Sequence, residues 1–305
     1  MEIHFGSELL KAEWQEAVGC LGTFDGVHRG HQRVISSAVQ LAREQGLPCV
    51  LITFDRHPAA ILAPDRCPKA IASLSQNIRA FRDLGVSIAL ILPFTAQLSL
   101  TTAQEFLDHV FIGAAKVKHL VVGHDFAFGK GREGTTAWLQ ERIDTHVIPP
   151  FELDGQRVSS SAIRSAIEAG EVDRAAMWLG RDFAIDGIVV AGQKLGRQLG
   201  YPTINLARAH EGVLPLDGIY SGSAKTRLGV FRAAISIGYR PTVDGTNRTI
   251  EAFLIDYPGD EIYGDHVELG FRRRLRGEET FASLEDLRDQ IARDVADVAN
   301  DRTLI

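Results

Sequence analysis

The segment Gly22–His31 constrains the fold of this chain most, because a glycine-bracketed turn there joins an apolar run to a helical one. It reads GTFDGVHRGH, follows the apolar run Ala17–Leu21 and precedes the amphipathic stretch Gln32–Gln45. This order is typical of a parallel α/β unit. In such a unit the N–H groups and the dipole of a helix N-terminus favour an anion, usually a phosphate.

Two histidines, His28 and His31, lie three residues apart in this segment. Residues at that spacing on a first helical turn share a face, so both imidazoles can reach one phosphate. A metal site is an alternative, but no cysteine or further histidine lies nearby at ligand spacing. Ordinary surface histidines are the other alternative. The glycines around the pair favour a nucleotide site.

Short apolar runs alternate with amphipathic stretches through the first half, which predicts a doubly wound parallel sheet. The candidate strands are Ala17–Leu21, Pro48–Phe54, Val86–Leu92, His119–Gly123 and Thr145–Ile148. The candidate helices are Gln32–Gln45, Leu74–Leu84, Ala103–Ile112, Thr136–Arg142, Ser161–Ala169 and Val172–Leu179.

The pattern changes after Gly180 to short β-branched and aromatic runs separated by turns, which predicts an antiparallel sheet or small barrel. These runs are Ala184–Val190, Gly218–Ala224, Phe231–Ile237, Thr249–Ile255 and His266–Phe271. One amphipathic helix, Leu284–Ala299, ends this half. We therefore predict one domain over residues 1–180 and a second over residues 181–305.

Composition limits the functional classes. A net charge of −6 argues against a dedicated nucleic-acid binder. The 3 cysteines lack CxxC spacing, so neither a disulfide framework nor a zinc site is indicated. We expect no signal peptide and no transmembrane helix, because the chain has neither a basic-then-apolar start nor an apolar run near the required length. These features favour a reducing cytoplasm. We expect a monomer or a weak homo-oligomer, although no sequence feature decides between them.

A second phosphate-binding motif is Ser159–Arg164, which reads SSSAIR and leads into the helix Ser161–Ala169. Serines at a helix start are good caps, and capping alone could explain them. Arg164 is less easily explained, because the helix dipole makes this end unfavourable for a cation without an anion nearby. Two such helix starts suit a triphosphate held between them. These groups would allow displacement at the α-phosphorus of ATP, a reaction in which charge neutralisation is more important than a general base.

A glycine pattern between these motifs is a poor match to the dinucleotide fingerprint. Gly129, Gly131 and Gly134 spell GxGxxG, but the polar and aromatic stretch Asp125–Phe128 separates them from the preceding apolar run. The fingerprint requires its glycines directly after a strand. The same region misses the P-loop spacing by one residue. We therefore discount a dehydrogenase or a P-loop enzyme.

The second half carries its own phosphate-binding candidates within Gly192–Asn205, which reads GQKLGRQLGYPTIN. Backbone at its glycines can close over phosphates, and two cations supply counter-charge. Thr203 and Asn205 would share one face of an extended segment and offer neutral oxygen ligands to Mg²⁺. A glycine-rich hairpin is the alternative. The phosphate candidates here are Gly192, Lys194, Gly196, Arg197, Gly200, Thr203 and Asn205.

Glu251 is the candidate general base of the second half. It begins the strand-like run EAFLIDY. Phosphorylating an alcohol requires a group that accepts the hydroxyl proton. An ordinary charge on an edge strand is the alternative interpretation.

The chain as a whole resembles the bifunctional prokaryotic riboflavin kinase/FAD synthetase family, from about Ala17 to Val298. The resemblance runs, in order, through GTFDGVHRGHQ, TFDRHP, VVGHDFAFG, SSSAIR, LGR, GRQLGYPTIN, DGIY, IGYRPTVDG, EIYG and LRGEETF. It implies an N-terminal Rossmann-like nucleotidylyltransferase domain that converts FMN and ATP to FAD and pyrophosphate. It also implies a C-terminal six-stranded antiparallel β-barrel, with a terminal helix, that converts riboflavin and ATP to FMN using Mg²⁺.

The resemblance assigns roles residue by residue. The adenylyltransferase ATP site is Gly22, Phe24, Asp25, His28, His31, Ser159, Ser160 and Arg164, with the histidines and Arg164 catalytic. Its flavin and phosphate contacts are His57, Asp125 and Phe128. In the kinase, Thr203 and Asn205 match the Mg–ATP motif, Glu251 the base and Arg276 the segment beside the riboflavin pocket.

Departures from the family pattern concentrate in the kinase half. Tyr239 and Arg240 replace a frequent Thr-Asn, Phe253 a frequent His and Ala191 another His. None removes a proposed metal ligand or the base. They put flavin affinity and rate in doubt more than activity. Two alternatives remain, namely an enzyme with only one of the two activities and a non-catalytic flavin-binding module.

Overall fold

The structure is a computed structural model that describes residues 1–6, 14–192, 195–208, 211–242, 245–259 and 261–301. Lys194 and the side chain of Arg240 lie outside the described part. The chain divides into two compact units. Unit 1 comprises Met1–Ala70 and Leu74–Ser160, and unit 2 comprises Ile71–Ser73 and Ser161–Ile305. The functional boundary between residues 180 and 181 stays a prediction.

Unit 1 is built on parallel strands. Its sheet strands are β1 (Glu2–Phe5), β2 (Ala17–Leu21), β3 (Cys49–Phe54), β4 (Ile88–Leu92), β5 (Val117–Gly123) and β8 (Asp144–Ile148). Two small hairpins pair β6 (Ala127–Phe128) with β7 (Gly134–Thr135), and β9 (Glu152–Leu153) with β10 (Gln156–Arg157). The sheet has six strands in the order β1-β4-β3-β2-β5-β8, and every neighbouring pair is parallel.

Helices cover both faces of this sheet. They are α1 (Arg29–Gln45), α2 (Ala59–Leu62), α3 (Leu74–Asp83), α4 (Ala96–Ser99), α5 (Ala103–Phe106), a π-helix (Leu107–Ala114) and α6 (Thr136–Gln140), with 3₁₀ turns at Asp25–Val27, Pro64–Arg66 and Lys130–Arg132. Side chains alternate along β3 because a strand has a period of two. Leu51 packs with α1 and α3 residues, whereas Val50 and Ile52 pack with α5 and the π-helix. The predicted doubly wound arrangement is confirmed.

Unit 2 consists of a closed barrel and helices. The helices are α7 (Ser160–Glu168, beginning at the last residue of unit 1), α8 (Val172–Leu179), α9 (Leu195–Gln198) and α10 (Leu284–Ala299). The strands are β11 (Phe183–Val190), β12 (Thr203–Arg208), β13 (Gly218–Thr226), β14 (Gly229–Thr242), β15 (Gly245–Leu254) and β16 (His266–Arg276). They close antiparallel in the order β11-β12-β15-β14-β13-β16, and α10 packs on β13 and β14. The predicted six-stranded barrel and terminal helix are confirmed.

Some element bounds differ from the sequence predictions. The helix predicted over Ala103–Ile112 is α5 continued by the π-helix. Helix α1 begins at Arg29 rather than Gln32, because His28 caps it. The sequence predicts β12 only as an extended segment, since its polar residues interrupt the apolar pattern. Among the described residues, no helix has the length and apolar character that a membrane span requires.

Two candidate active sites

The first candidate site lies where the strand order of unit 1 reverses. From β2 the chain proceeds through β3 to β4 on one side, whereas β5 and β8 lie on the other side of β2. Ligands of open α/β sheets bind outside the carboxyl ends of strands at such a switch point. A cavity of about 620 Å³ lies there. Its lining includes Gly22, Phe24 and His31 after β2, and Asp125, Phe128 and Arg132 after β5.

The loop after β2 has an unusual backbone conformation. Phe24, Gly26 and Val27 all have positive φ, at 46°, 74° and 41°. A β-branched residue with positive φ is a genuine outlier, and such strain is often found at functional sites. Gly22 is required by close approach, because a Cβ there would lie 2.9 Å from the Phe24 ring. The backbone of this loop is therefore closely packed where Gly22 and Phe24 line the cavity.

The two histidines lie together at the start of α1. Nδ1 of His28 accepts the backbone N–H of His31 at 3.2 Å, so His28 is the N-cap of the helix. The rings stack with their centroids 3.6 Å apart, and the Phe24 ring meets His31 edge-on at 5.4 Å. Because Nδ1 of His28 is an acceptor, the proton of its neutral ring is on Nε2. The predicted juxtaposition of the two imidazoles is thus present.

Asn77 anchors this loop from α3, a contact that the sequence does not reveal. Its Oδ1 accepts the N–H of Gly26 at 3.1 Å, and its side chain is buried. Gly26 lies between Phe24 and Val27, the two residues whose positive φ is unfavourable, so this bond fixes the loop between them. No spacing rule in the sequence links an amide on α3 to a loop some fifty residues earlier.

We expect Asn77→Ala to destabilise the chain by about 1–2 kcal/mol, because the loop loses a buried hydrogen-bond acceptor. FAD formation, which the family resemblance implies for this unit, is expected to slow, while FMN formation from riboflavin is unchanged. Urea unfolding and separate assays of the two flavin products measure both effects. Gln104→Ala removes an exposed amide that contacts Asp108 and serves as the control, with no change expected in either measurement. Equal slowing in both variants would contradict an anchoring role.

The second motif meets the first through Ser160. Its Oγ donates to the backbone oxygen of Asp25 at 3.4 Å, and both residues belong to unit 1. Ser159 directly precedes α7 and is half-buried. Arg164 is half-buried on α7, within unit 2. The structure therefore joins Ser160 to the histidine loop, and the role of Arg164 stays a prediction.

The other predicted residues of unit 1 lie around the cavity or close to it. Asp125 lines the cavity and forms an ion pair with Arg157 at 2.6 Å. Phe128 lines it too, but its ring is 7% exposed and stacks on Phe126 at 5.6 Å. The Nδ1 of His57 accepts the N–H of Ala59 at 3.1 Å, next to the lining residue Pro58. Phe128 is therefore a largely buried part of the cavity wall, and its role toward the flavin stays a prediction.

The second candidate site is a cavity of about 300 Å³ in unit 2. The barrel strands provide one wall, and α10 provides another through Leu287, Ile291 and Val295. The predicted residues Gly196, Thr203, Glu251 and Arg276 all line it. The sequence pattern of α10 predicts an amphipathic helix, and the structure shows that its apolar face closes this cavity.

Strand pairing brings the predicted kinase residues together. In the antiparallel ladder, Asn205 of β12 is directly opposite Glu251 of β15, and Thr203 is opposite Phe253. The Oγ1 of Thr203 donates to Oε2 of Glu251 at 3.1 Å. A carboxylate, a hydroxyl and an amide thus share one face of two neighbouring strands, as the period of two requires.

The glycine loop between β11 and β12 shows why small residues are needed. A Cβ on Gly192 would lie 2.2 Å from the Asn205 amide, and one on Gly196 would lie 2.3 Å from the Tyr201 oxygen. Gly200 has φ +88°, a conformation that L side chains rarely adopt. Arg197 lies on α9 within this loop. The glycines therefore bring backbone close to Asn205 and allow the turn before Thr203.

Arg276 is held in place by α10. Its guanidinium contacts the Asp294 carboxylate through Nε at 3.1 Å and through Nη2 at 2.8 Å. Both side chains are largely buried, and hydrogen bonding to Asp294 raises the pKa of Arg276 above its usual range. Gln290 donates to the same carboxylate at 3.0 Å. Asp294 is a cavity residue that the sequence does not single out, because its partner lies on a different element.

We expect Asp294→Asn to lower the free energy of unfolding of unit 2 by about 3 kcal/mol, because removing one partner leaves a largely buried charge poorly compensated. The KM for riboflavin is expected to rise, since both side chains line the cavity. Urea unfolding and initial rates measure these effects. Asp289→Asn, an exposed change on the same helix, is expected to alter neither. Equal losses of stability in Asp294→Asn and Asp289→Asn would show that the Arg276–Asp294 ion pair does not stabilise unit 2.

Three residues that depart from the family pattern lie in or near this cavity. Phe253 lines the cavity and meets Tyr201 edge-on at 5.4 Å. Tyr239 lies at the cavity rim, 56% exposed, with the Arg248 guanidinium 5.8 Å from its ring centroid. Ala191 is exposed next to the glycine loop. The aromatic replacements therefore extend the apolar part of the cavity lining, and Phe253 does so directly opposite Thr203.

Comparison with known proteins agrees with this division into two sites. One family model, described as FAD synthetase, matches residues 10–162, and another, described as riboflavin kinase, matches residues 179–301. The bifunctional riboflavin kinase/FMN adenylyltransferase of Bacillus subtilis (strain 168) is 35% identical over 295 residues, which cover 94% of this chain and 92% of that protein. This chain belongs to that family. The protein of the same description from Pseudomonas fluorescens is 37% identical and covers 97% of this chain and 96% of its own.

The fold is also shared with a solved structure. The structure described as a macrolide-efflux protein from Streptococcus pneumoniae has a TM-score of 0.90 and 31% identity, covering 98% of this chain and 99% of that chain. Its description states a different activity from the curated relatives. The structural likeness itself extends over both units.

Proposed function

We propose that this chain makes FAD from riboflavin in two ATP-dependent steps. Unit 2 transfers the γ-phosphoryl group of ATP to riboflavin, giving FMN and ADP. Unit 1 transfers the adenylyl group of a second ATP to FMN, giving FAD and pyrophosphate. The observation that carries the proposal is that each compact unit has its own cavity, among the residues matched by one of the two family models.

In the adenylyl step, a phosphate oxygen of FMN attacks the α-phosphorus of ATP and pyrophosphate leaves. The attacking phosphate has a second pKa near ~6, so it needs no general base at neutral pH. The step needs donors for the charge that develops on the phosphoryl oxygens. We assign this role to His28, His31 and Arg164. The remaining ATP contacts are assigned to Gly22, Phe24, Asp25, Ser159 and Ser160. His57, Asp125 and Phe128 are assigned to the flavin side.

In the kinase step, the hydroxyl oxygen of riboflavin bonds to the γ-phosphorus of ATP and ADP leaves. Glu251 accepts the proton of that hydroxyl group. Thr203 donates a hydrogen bond to Glu251, which fixes the carboxylate relative to β12. Gly192, Gly196, Gly200, Lys194 and Arg197 are assigned to the phosphates of ATP, and Arg276 to the riboflavin pocket. The direct pairing of Asn205 with Glu251 supports this assignment, because the base and the phosphate-binding loop then adjoin.

Mg²⁺ fits the residues of this second site. Thr203 and Asn205 offer neutral oxygen atoms next to a carboxylate, which is the donor chemistry that Mg²⁺ prefers. Gly192 leaves space against the Asn205 amide that a Cβ would fill. We propose that Thr203 and Asn205 hold the ion with the ATP phosphates. When bound, it would neutralise charge on the transferred phosphoryl group.

We place both reactions in the cytoplasm, with riboflavin, FMN and Mg–ATP as the small-molecule partners. The three cysteines are free thiols, which fits a reducing compartment. The alternatives are a chain with one activity and a flavin-binding module without turnover. The module would retain flavin in a fixed ratio to protein and release no pyrophosphate from ATP and FMN.

A chromatographic time course with riboflavin and Mg–ATP tests the proposal. FMN is expected first and FAD later, because the product of unit 2 is the substrate of unit 1. FMN without FAD would confine catalysis to unit 2. No conversion of riboflavin, with FAD still formed from supplied FMN, would confine it to unit 1. No turnover in either assay would leave only the binding module.

A further inference from the structure

A separate group of metal-ligating side chains lies on the sheet of unit 1. His119 is on β5, while Asp144 and His146 are on the neighbouring strand β8. In the parallel ladder Asp144 is the partner of His119, and His146 lies two residues farther along β8 on the same face. None of the three belongs to the lining of the 620 Å³ cavity in the described part of the chain. The adenylyltransferase reaction therefore gives these side chains no role.

The potential ligand atoms of this group converge on one carboxylate. Nδ1 of His119 lies 2.6 Å from Oδ2 of Asp144, and Nε2 of His146 lies 3.6 Å from the same oxygen. One ligand atom from each residue fits within a mutual separation of 4.8 Å. Ligand atoms around a tetrahedral ion with bonds of about 2.0–2.2 Å lie roughly 3.4 Å apart. Modest side-chain rotations would therefore bring all three to coordinating distance.

We propose that His119, Asp144 and His146 bind a borderline divalent cation of the Zn²⁺ or Co²⁺ class, with solvent completing the coordination. Two imidazoles and one carboxylate are the donor set of such ions. Mg²⁺ and Ca²⁺ are disfavoured, because they require mainly oxygen ligands. The site is therefore distinct in chemistry from the one proposed for Mg²⁺ at Thr203 and Asn205.

The charged side chains near Asp144 are paired with other residues. Lys118 pairs with Glu16 at 2.7 Å. Arg142 pairs with Glu141 and lies over the Trp138 ring, 4.2 Å from its centroid. Within the described residues, the ion-pair contacts of Asp144 are with His119 and His146. A divalent cation would meet one negative charge and two imidazole nitrogens there, and no lysine or arginine of the described segments pairs with the carboxylate.

The position of the site gives it a structural consequence. Among the described strands, β8 is the last of this sheet and pairs with β5 alone. A cation shared by His119 and the two β8 residues would link this edge strand to β5. Binding to the folded state alone stabilises it by mass action. At a free concentration of about 100 times the Kd, we expect the melting temperature of unit 1 to rise by about 5–10 °C.

Calorimetric titration of the metal-stripped full chain with ZnCl₂ tests the proposal, with Co²⁺ absorption in the visible range as a second measurement. The variants are His119→Gln and His146→Gln. The control is His109→Gln, because His109 is exposed on the π-helix. We expect the unmodified chain and the control to bind one more equivalent than either variant, or to bind it at least tenfold more tightly. Other zinc-binding groups are present in all four proteins and cancel in the comparison.

Circular dichroism checks that each variant is folded. His146 is about half exposed, so His146→Gln tests the site even where His119→Gln unfolds the sheet edge. Equal stoichiometry and affinity in all folded variants would overturn the proposal and leave the group as an ordinary ion-pair cluster. A zinc-induced rise in melting temperature that persists in His146→Gln would overturn it as well. Neither result bears on the two flavin reactions, which are measured separately.

Discussion

Replacing Glu251 by Gln is expected to lower riboflavin phosphorylation about 10²- to 10⁴-fold, the usual contribution of a general base. Gln has the size of Glu and its amide oxygen can still accept the hydrogen bond that Thr203 donates at 3.1 Å. The variant therefore keeps the contact between β12 and β15 but cannot accept a proton. FAD formation from supplied FMN is expected to continue at the rate of the unmodified chain, because it takes place in unit 1.

Initial rates of FMN production and of FAD production, measured in separate reactions, check this result. Glu261→Gln, which removes an exposed carboxylate from the same unit, is the matched control and should leave both rates unchanged. Unaltered FMN production in Glu251→Gln would show that Glu251 is an ordinary strand charge. Loss of both activities in a folded variant would show that the two steps are coupled.

The sequence predicts those strands, helices and residue pairs that depend only on neighbouring positions along the chain. The apolar run Ala17–Leu21, the glycine turn and the helix after it form β2, the strained loop and α1. The stacked pair His28 and His31 can be predicted because both residues lie on one turn. Thr203 and Asn205 share a face because a strand has a period of two, although the sequence predicts β12 itself only as an extended segment.

The sequence cannot show contacts between residues far apart along the chain. Asn77 reaches Gly26 only because α3 packs against the loop after β2. Asp294 reaches Arg276 only because α10 closes the barrel cavity. Similarly, His119 and Asp144 become neighbours through the parallel pairing of β5 and β8, which local pattern does not specify. None of these residues lies in a recognisable sequence motif. Their contacts therefore become visible only in the folded structure.

The second large effect is expected at His28, whose imidazole has two separable roles. Its Nδ1 caps α1 by accepting the N–H of His31, and its ring stacks on His31, which lines the cavity. Asn is among the best N-cap residues, so His28→Asn keeps the cap and removes only the imidazole, whereas His28→Ala removes both. We expect both variants to lose FAD formation by about 10²- to 10³-fold, the cost of removing one donor to a developing oxyanion. Only His28→Ala should also lose about 1 kcal/mol of stability.

FAD formation from FMN and Mg–ATP, FMN formation from riboflavin, and urea unfolding separate these roles. FMN formation is expected to stay unchanged in both variants, since it takes place in unit 2. If His28→Asn made FAD at the unmodified rate, His28 would be a cap alone, and the phosphate would have to be held by His31 and the backbone of the strained loop. A loss of FAD formation in His28→Asn without a loss of stability would instead assign the imidazole to ATP, because the cap and the fold are then intact.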